Sequence, residues 1–329
     1  MPLALSLLFG VIPMLFFAWL VYWLDRYEKE PRLLLGGVFA WGALVAAGGA
    51  YALNTLFGLG VFLYTSDQAA ADLATGTLIA PFFEEGLKAL AVFLVFLVAR
   101  REFDSIVDGI VYAAIVALGF AATENTLYIY RDGFQTAGYS GLLAMSFVRV
   151  VLVGWQHPFY TAFTGIGLAA ARLSPRSEVR LLAPAIGLVL AIFTHAMHNF
   201  LAVTLPGFGG FVLGTAIDWS GWSLMLLFAL WALYREQRWL AEHLREEVGL
   251  GTISPAQYKT ACSMLNQAIA RFGALFNGRF RVTRRFYQVC AELAFKKHQR
   301  QALGEEGGNS PIIDRLRGEL ASLSPHALD

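Results

Sequence analysis

Charge is what this chain has least of. Only 15% of its 329 residues are Asp, Glu, Lys or Arg, against 57% hydrophobic and a mean hydropathy of +0.55, where a soluble domain carries about 25% charge. A water-soluble globule is thereby excluded, and the chain reads as a polytopic membrane protein. Cysteine is nearly missing too. Cys262 and Cys290 are the only two, at no metal-like spacing, so neither a disulfide framework nor a zinc finger is available and both read as buried thiols. The sequence shows no internal repeat, no Gly-rich phosphate loop, no nucleic-acid motif and no HExxH helix. Nucleic-acid binding and the common zinc-protease signature drop out with them.

What is abundant is apolar length. A bilayer core about 30 Å thick takes roughly 20 apolar residues per helix, and seven stretches suffice: about 2–24, 33–58, 74–99, 105–130, 140–171, 181–205 and 208–234. The expected fold is all-α, a bundle of about seven transmembrane helices over residues 1–235 with a small cytosolic helical module over 236–329. Basic residues alternate between the connections. Arg26, Lys29 and Arg32 follow the first stretch, Arg100 and Arg101 the third, Arg131 alone the fourth, and Arg172, Arg176 and Arg180 the fifth; none follow the second or sixth. Cytoplasmic loops retain such residues, which puts the N-terminus outside and the C-terminus in the cytosol. The first stretch has no basic lead-in and no small-residue cleavage site, so it reads as a retained span rather than a secretory signal.

The tail holds thirteen Lys/Arg against ten Asp/Glu. That excess suits anionic inner-leaflet lipid, making membrane lipids an expected partner. In SPAQYKTACSMLNQAIARF, Ser254 is the expected N-cap and Pro255 the first helical position. GEEGGNSP (304–311) reads as a flexible break before a last short helix.

Against this background the stretch IAPFFEEGLKALAVFLVFLVARR (79–101) stands out, because Glu84, Glu85 and Lys88 lie inside it. Intramembrane ionisable groups are expensive and point to function. Glu84 is about 16 residues before Arg100, hence about 24 Å above the inner edge. Similar counting puts His157, His195, Glu124 with Asn125, and Asp218 at a comparable depth, and His198 with Asn199 one turn beyond His195. Helices have little reason to place acids and imidazoles at one level unless these meet. His195 and Asn199, four apart, share a face, and Glu84 and Glu85 point about 100° apart, so that one can face the centre while the other reaches Lys88. Pro81 removes a backbone donor and is expected to bend the third helix. A carboxylate and imidazoles around water are the equipment of hydrolysis, and imidazoles and an amide can bind a metal or stabilise an oxyanion. The same groups could form the relay of a proton- or cation-coupled transporter, although the repeats usual in transporters are absent. A non-enzymatic scaffold is the third reading.

FFEEGLK has the form EExxK, Phe120, Glu124 and Asn125 form FxxxEN, HPFYT is HxxxT and HAMHN is HxxxN. In this order they resemble the PrsW family of membrane-embedded proteases, related to the CAAX prenyl endopeptidase and Abi group. The resemblance runs from about residue 20 to 205. It implies an intramembrane protease, glutamate-dependent or metallo, in a bacterial cytoplasmic membrane, cutting a membrane protein near the bilayer surface, such as a single-span anti-sigma factor. Position by position it implies Glu84 and Glu85 as the acid pair, Lys88 as the basic residue, His157 and His195 as the imidazoles and Asn199 as the oxyanion donor. Glu84, Glu85, His195 and Asn199 are the catalytic candidates; Glu124, His157, His195 and His198 are the candidate metal ligands. Two departures from the CAAX group matter: Lys88 stands at the third position after the acids where that group has Arg at the fourth, and Glu124 replaces its second-element His. Both favour general membrane proteolysis over prenyl-protein processing. Zn²⁺ and a metal-free mechanism are both open on these residues.

Overall fold

The computed structural model describes residues 1–25, 29–100, 103–205, 207–305 and 308–328. Arg26 and Arg101, used in the orientation argument, and residues 306–307 of the expected break lie outside the described residues. The described chain is helical, without a strand among the described residues. Helices cover every apolar stretch: α1 Pro2–Leu24, α2 Arg32–Ala40, α3 Ala47–Thr65, α4 Gln68–Ala74, α5 Ala80–Val98, α6 Ile106–Tyr128, α7 Gln135–Ser146, α8 Gln156–Leu173, α9 Ser177–Thr204 and α10 Gly207–His243. π-helical turns at Trp41–Ala46, Thr75–Ile79, Ile129–Phe134 and Phe147–Leu152 join several of these into longer rods. Among the described residues, five helical stretches, rather than seven, are long and apolar enough to cross a membrane. The difference lies in two places. Glu84, Glu85 and Lys88 put three ionisable groups into α5, and Ile106–Leu173 counts once although its backbone leaves the helix at Ala137 and Gly138, where φ of Gly138 is +61°. The outer connection expected over 59–73 shrinks to Ser66 and Asp67, because Asp67 caps α4 by accepting from the amides of Ala69 and Ala70.

Two compact units divide the chain. In the first (1–24, 30–172 and 177–228), α6 is the central rod. Ser105 caps it in a reciprocal capping box with Asp108. Every residue from Val107 to Ala122 is buried, as the all-round apolar sequence requires of a helix with no lipid or water face. Small residues let its neighbours approach backbone to backbone. A methyl on Gly109 would sit 2.3 Å from the Gly165 carbonyl oxygen of α8, and one on Gly119 2.1 Å from the Phe39 carbonyl oxygen of α2. These crossings fix α8 beside α6, and with it His157 beside Glu124. By contrast α1, α9 and α10 expose Leu, Ile, Phe and Trp side chains, the surface a lipid-facing helix needs.

The second unit comprises 25–29, 173–176 and 229–329. It adds α11 Arg245–Gly249, α12 Pro255–Ala261, α13 Met264–Phe276, α14 Phe280–Leu303 and α15 Asn309–Leu323. Ser254 caps α12 with Pro255 at its start, as the sequence indicates. The core gathers on α14, where Phe286, Tyr287 and Phe295 meet Leu240, Ile313 and Leu320. Buried Glu247 is gripped by Lys297 and by Arg317, the latter through Nε at 3.0 Å and Nη2 at 2.8 Å. Both cysteines are free, and burial pushes the Cys262 thiol up to about 11 and the Cys290 thiol higher still.

Candidate active site

α5 carries the acid pair into the bundle, and the geometry around it follows from how α5 begins. In the π-helical turn before it, the Ala80 amide donates to Thr75, five residues back. Pro81 has no N–H to continue that pattern, so the Gly76 carbonyl would be left without a donor. Asn199 of α9 supplies one: its Nδ2 donates to Gly76 O at 2.7 Å. The missing donor expected from Pro81 thus becomes a lock between the start of α5 and the helix that bears His195.

The two acids have opposite surroundings. Glu85 is fully buried and saturated. Its Oε1 accepts from Lys88 Nζ at 2.9 Å and from His195 Nδ1 at 3.0 Å, and its Oε2 accepts from Thr161 Oγ1 at 2.8 Å. Glu84, also buried, has Asn54 Nδ2 on Oε1 at 3.5 Å, while its Oε2 has no hydrogen-bond partner. That oxygen lies 3.8 Å from His195 Nε2 and 3.9 Å from Lys88 Nζ. With His195 Nδ1–H donated to Glu85, the tautomer is fixed and the Nε2 lone pair is left facing Glu84.

Lys88 is the hub. Its ammonium donates to His157 Nδ1 at 3.0 Å as well as to Glu85, and sits 3.8 Å from the centre of the Phe120 ring. His157 then donates Nε2–H to Glu124 Oε2 at 2.8 Å, and Glu124 is paired with Arg149. Arg149 also donates Nε–H to Asn125 Oδ1 at 2.8 Å. A continuous chain of bonds therefore runs Arg149, Glu124, His157, Lys88, Glu85, His195. Tyr160 stacks on His195 with centroids 4.8 Å apart and fixes the ring plane. Glu84 and Glu124 line a cleft of about 460 Å³ between α3 and α6, together with Asn54, Tyr51, Tyr128 and Arg131.

The structure thus brings Glu84, Glu85, Lys88, Glu124, His157 and His195 together. It places His198 apart, where Nδ1 pairs with Asp218 Oδ2 at 2.9 Å and lies 3.3 Å from Gln156 Nε2. Asn199 is tied to Gly76, which lines the same cleft as Glu84. The ligand atoms of Glu84, His157 and His195 lie within 4.8 Å of one another. A divalent cation fits this group, since the buried Glu84 oxygen lacks a partner and His195 Nε2 is open, its other nitrogen held by a carboxylate as metal-bound histidines require. His157 has both nitrogens engaged, by Lys88 and Glu124, and becomes a ligand only when one of them releases it. Glu124 and His198, expected among the ligands, fall outside the group. Arg149, Thr161, Asn54 and Tyr160 are additions that the depth argument passes over. Arg149 had a signal, a lone cation in the apolar run SFVRVVLVGW, and Thr161 is the Thr of the HxxxT element; Asn54 and Tyr160 had none.

The sequence matches the family described as PrsW family intramembrane metalloprotease over residues 30–233. It is 27% identical over 227 residues to Protease PrsW of Geobacillus kaustophilus, covering 69% of this chain and 88% of that protein. The match to Protease PrsW of Oceanobacillus iheyensis is 28% over 233 residues, 70% of this chain and 93% of the relative. That to Protease PrsW of Bacillus subtilis is 26% over 223 residues, 68% and 88% respectively. No solved structure matches.

Proposed function

The chain belongs to the PrsW family of intramembrane proteases, and from that premise we propose that Glu84 and His195 activate the water that hydrolyses a peptide bond of a membrane protein. Proteolysis by an integral membrane protein follows from membership; the residue roles and the substrate are the proposal. One observation carries it: the only oxygen of the acid pair without a hydrogen-bond partner, Glu84 Oε2, lies 3.8 Å from the open nitrogen of His195.

A water held beside Glu84 Oε2 and His195 Nε2 donates one proton to Glu84 while its oxygen attacks the scissile carbonyl carbon. Glu84 then returns that proton to the departing amine as the carbon–nitrogen bond breaks, leaving a carboxyl and an amine product. Glu85 is a positioning residue, holding His195 through Nδ1 and neutralising Lys88. Glu124 and Arg149 hold His157 in the tautomer that accepts from Lys88. An amide carries two donors, so the bond from Asn199 to Gly76 leaves one for the developing oxyanion. A Zn²⁺ ion held by Glu84, His157 and His195 would polarise the carbonyl and lower the pKa of its water to about 7.

The cleft beside Glu84 suits an unwound segment of a single-span substrate entering between α3 and α6, the substrate class that the anti-sigma factors exemplify. The same reading puts the protein in a bacterial cytoplasmic membrane with its N-terminus outside. A relay for ions is set aside, because family membership supplies a protease. The test is cleavage of a purified single-span membrane protein by the purified chain in detergent. Cleavage by the wild type, and cleavage slowed at least about 10²-fold in Glu84→Gln, is expected; equal rates refute the assignment.

A further inference from the structure

In the C-terminal unit, beyond α10, the exposed large apolar side chains concentrate on one short helix. At 100° per residue, Leu265, Ile269, Phe272 and Phe276 of α13 form a single stripe, with Phe272 63% and Phe276 77% exposed. The opposite face carries the small or polar residues. Ala270 packs into the unit's core and Gln267 donates to the Ala261 carbonyl at 2.8 Å. The helix is amphipathic in the reverse sense to one on a water-soluble module, whose large apolar side chains face inward. An apolar stripe of this kind marks an interaction surface.

Charge identifies what covers it. Residues 248–291 contain no Asp or Glu and six basic residues, Lys259, Arg271, Arg279, Arg281, Arg284 and Arg285. Arg285 is taken up by Glu292 and Glu319, but Lys259, Arg279, Arg281 and Arg284 are exposed. A second copy of this chain offering the same face would bring like charges together, which opposes dimerisation. An anionic bilayer matches both features, taking the stripe into its acyl boundary and the cations into its headgroups. The chain also guarantees the encounter, because α10 joins the unit covalently to the membrane-spanning bundle and keeps lipid at a high effective concentration.

We propose that α13 is an interfacial helix that lies on anionic lipid of the membrane the chain itself spans. The proposal is independent of the catalytic reading. It is tested on the full chain with Cys262→Ser and Cys290→Ala, carrying a polarity-sensitive dye on Ile269→Cys, Phe272→Cys or, as a water-facing control, Ser322→Cys. Each is reconstituted into phosphatidylcholine vesicles and into vesicles with three-tenths phosphatidylglycerol. Emission from positions 269 and 272 is expected to shift to the blue in the anionic vesicles, to be quenched by lipids bearing a shallow nitroxide, and to shift less in the neutral vesicles; position 322 stays water-like. A thermal unfolding midpoint in detergent equal to that of the unlabelled chain shows that the labelled chain is folded. Water-like emission at both stripe positions in both vesicles overturns the proposal. So does a blue shift that persists in detergent and grows with protein concentration, which would mark a protein partner or second copy.

Discussion

Replacing Glu85 with Gln removes the one carboxylate in hydrogen-bond contact with Lys88, whose side chain is fully buried. The next carboxylate, Glu84, is 3.9 Å away. Leaving such a cation uncompensated costs about 3–5 kcal/mol, whereas removing both members of a buried pair is often close to neutral. In the double variant with Lys88→Met the ammonium is gone, and the residual penalty is the lost partner of His157 Nδ1, about 1–3 kcal/mol for a buried polar group. The double variant is therefore expected to be about 2 kcal/mol more stable than Glu85→Gln alone, a coupling within the range of double-mutant cycles between contacting residues. Cleavage does not return with stability, because His195 has still lost the carboxylate that orients it. The assay is thermal unfolding in detergent for the wild type, Glu85→Gln, Lys88→Met and the double variant, alongside substrate cleavage. A Glu85→Gln protein as stable as the wild type, or a double variant no more stable than the single, refutes the assignment of Glu85 as the buried counter-ion of Lys88.

His195→Ala is expected to abolish cleavage while the protein still inserts, which a gel-based substrate assay reads directly. If a Zn²⁺ ion is held by Glu84, His157 and His195, a strong chelator, verified by metal analysis, lowers cleavage and added Zn²⁺ restores it; full activity at zero metal leaves Glu84 and His195 to activate the water without one. A reporter fused after Arg235 should be cytosolic and one inserted at Ser66 external, and the opposite labelling at both sites would overturn the orientation. In the C-terminal unit, burial raises the Glu247 carboxyl, but the bonds from Arg317 and Lys297 outweigh it and hold it below the usual range. A lowered folded pKa gives stability that is complete above about 4.3, the ordinary glutamate value, and is lost as pH falls through the folded pKa. Acid should therefore expose Cys290 to a thiol reagent below that pH in a Cys262→Ser background, and Glu247→Gln should flatten the dependence.

The helices were legible because a bilayer imposes a length and an apolarity that a sequence must display. Depth counting likewise brought Glu84, Glu85, Glu124, His157 and His195 to one level, and Glu85 does meet His195 at 3.0 Å. Helical spacing alone could pair Lys88 with either acid. It could not reveal the contact with His157, which depends on α8 approaching α6 at Gly109 and Gly165. His198 illustrates the limit of depth as a guide. It lies close to His195 in height, yet three residues of helix turn it toward Asp218 instead. Asn199 shares the His195 face as expected, but its bond to Gly76 answers a backbone vacancy created by Pro81 in a π-helical turn, a feature that periodicity does not encode.

The central claim is that Glu84, rather than its saturated neighbour, handles the proton of the attacking water. Glu84→Gln keeps the shape, removes a buried carboxylate oxygen that has no hydrogen-bond partner, and leaves the Glu85–Lys88 pair intact. The direct measurement is the single-turnover rate of cleavage of a single-span membrane substrate by this variant and the wild type, both in detergent and both shown to be folded. A loss of about the 10²–10⁴-fold typical of a general base is expected, with stability unchanged or raised. Cleavage by Glu84→Gln at the wild-type rate would contradict it.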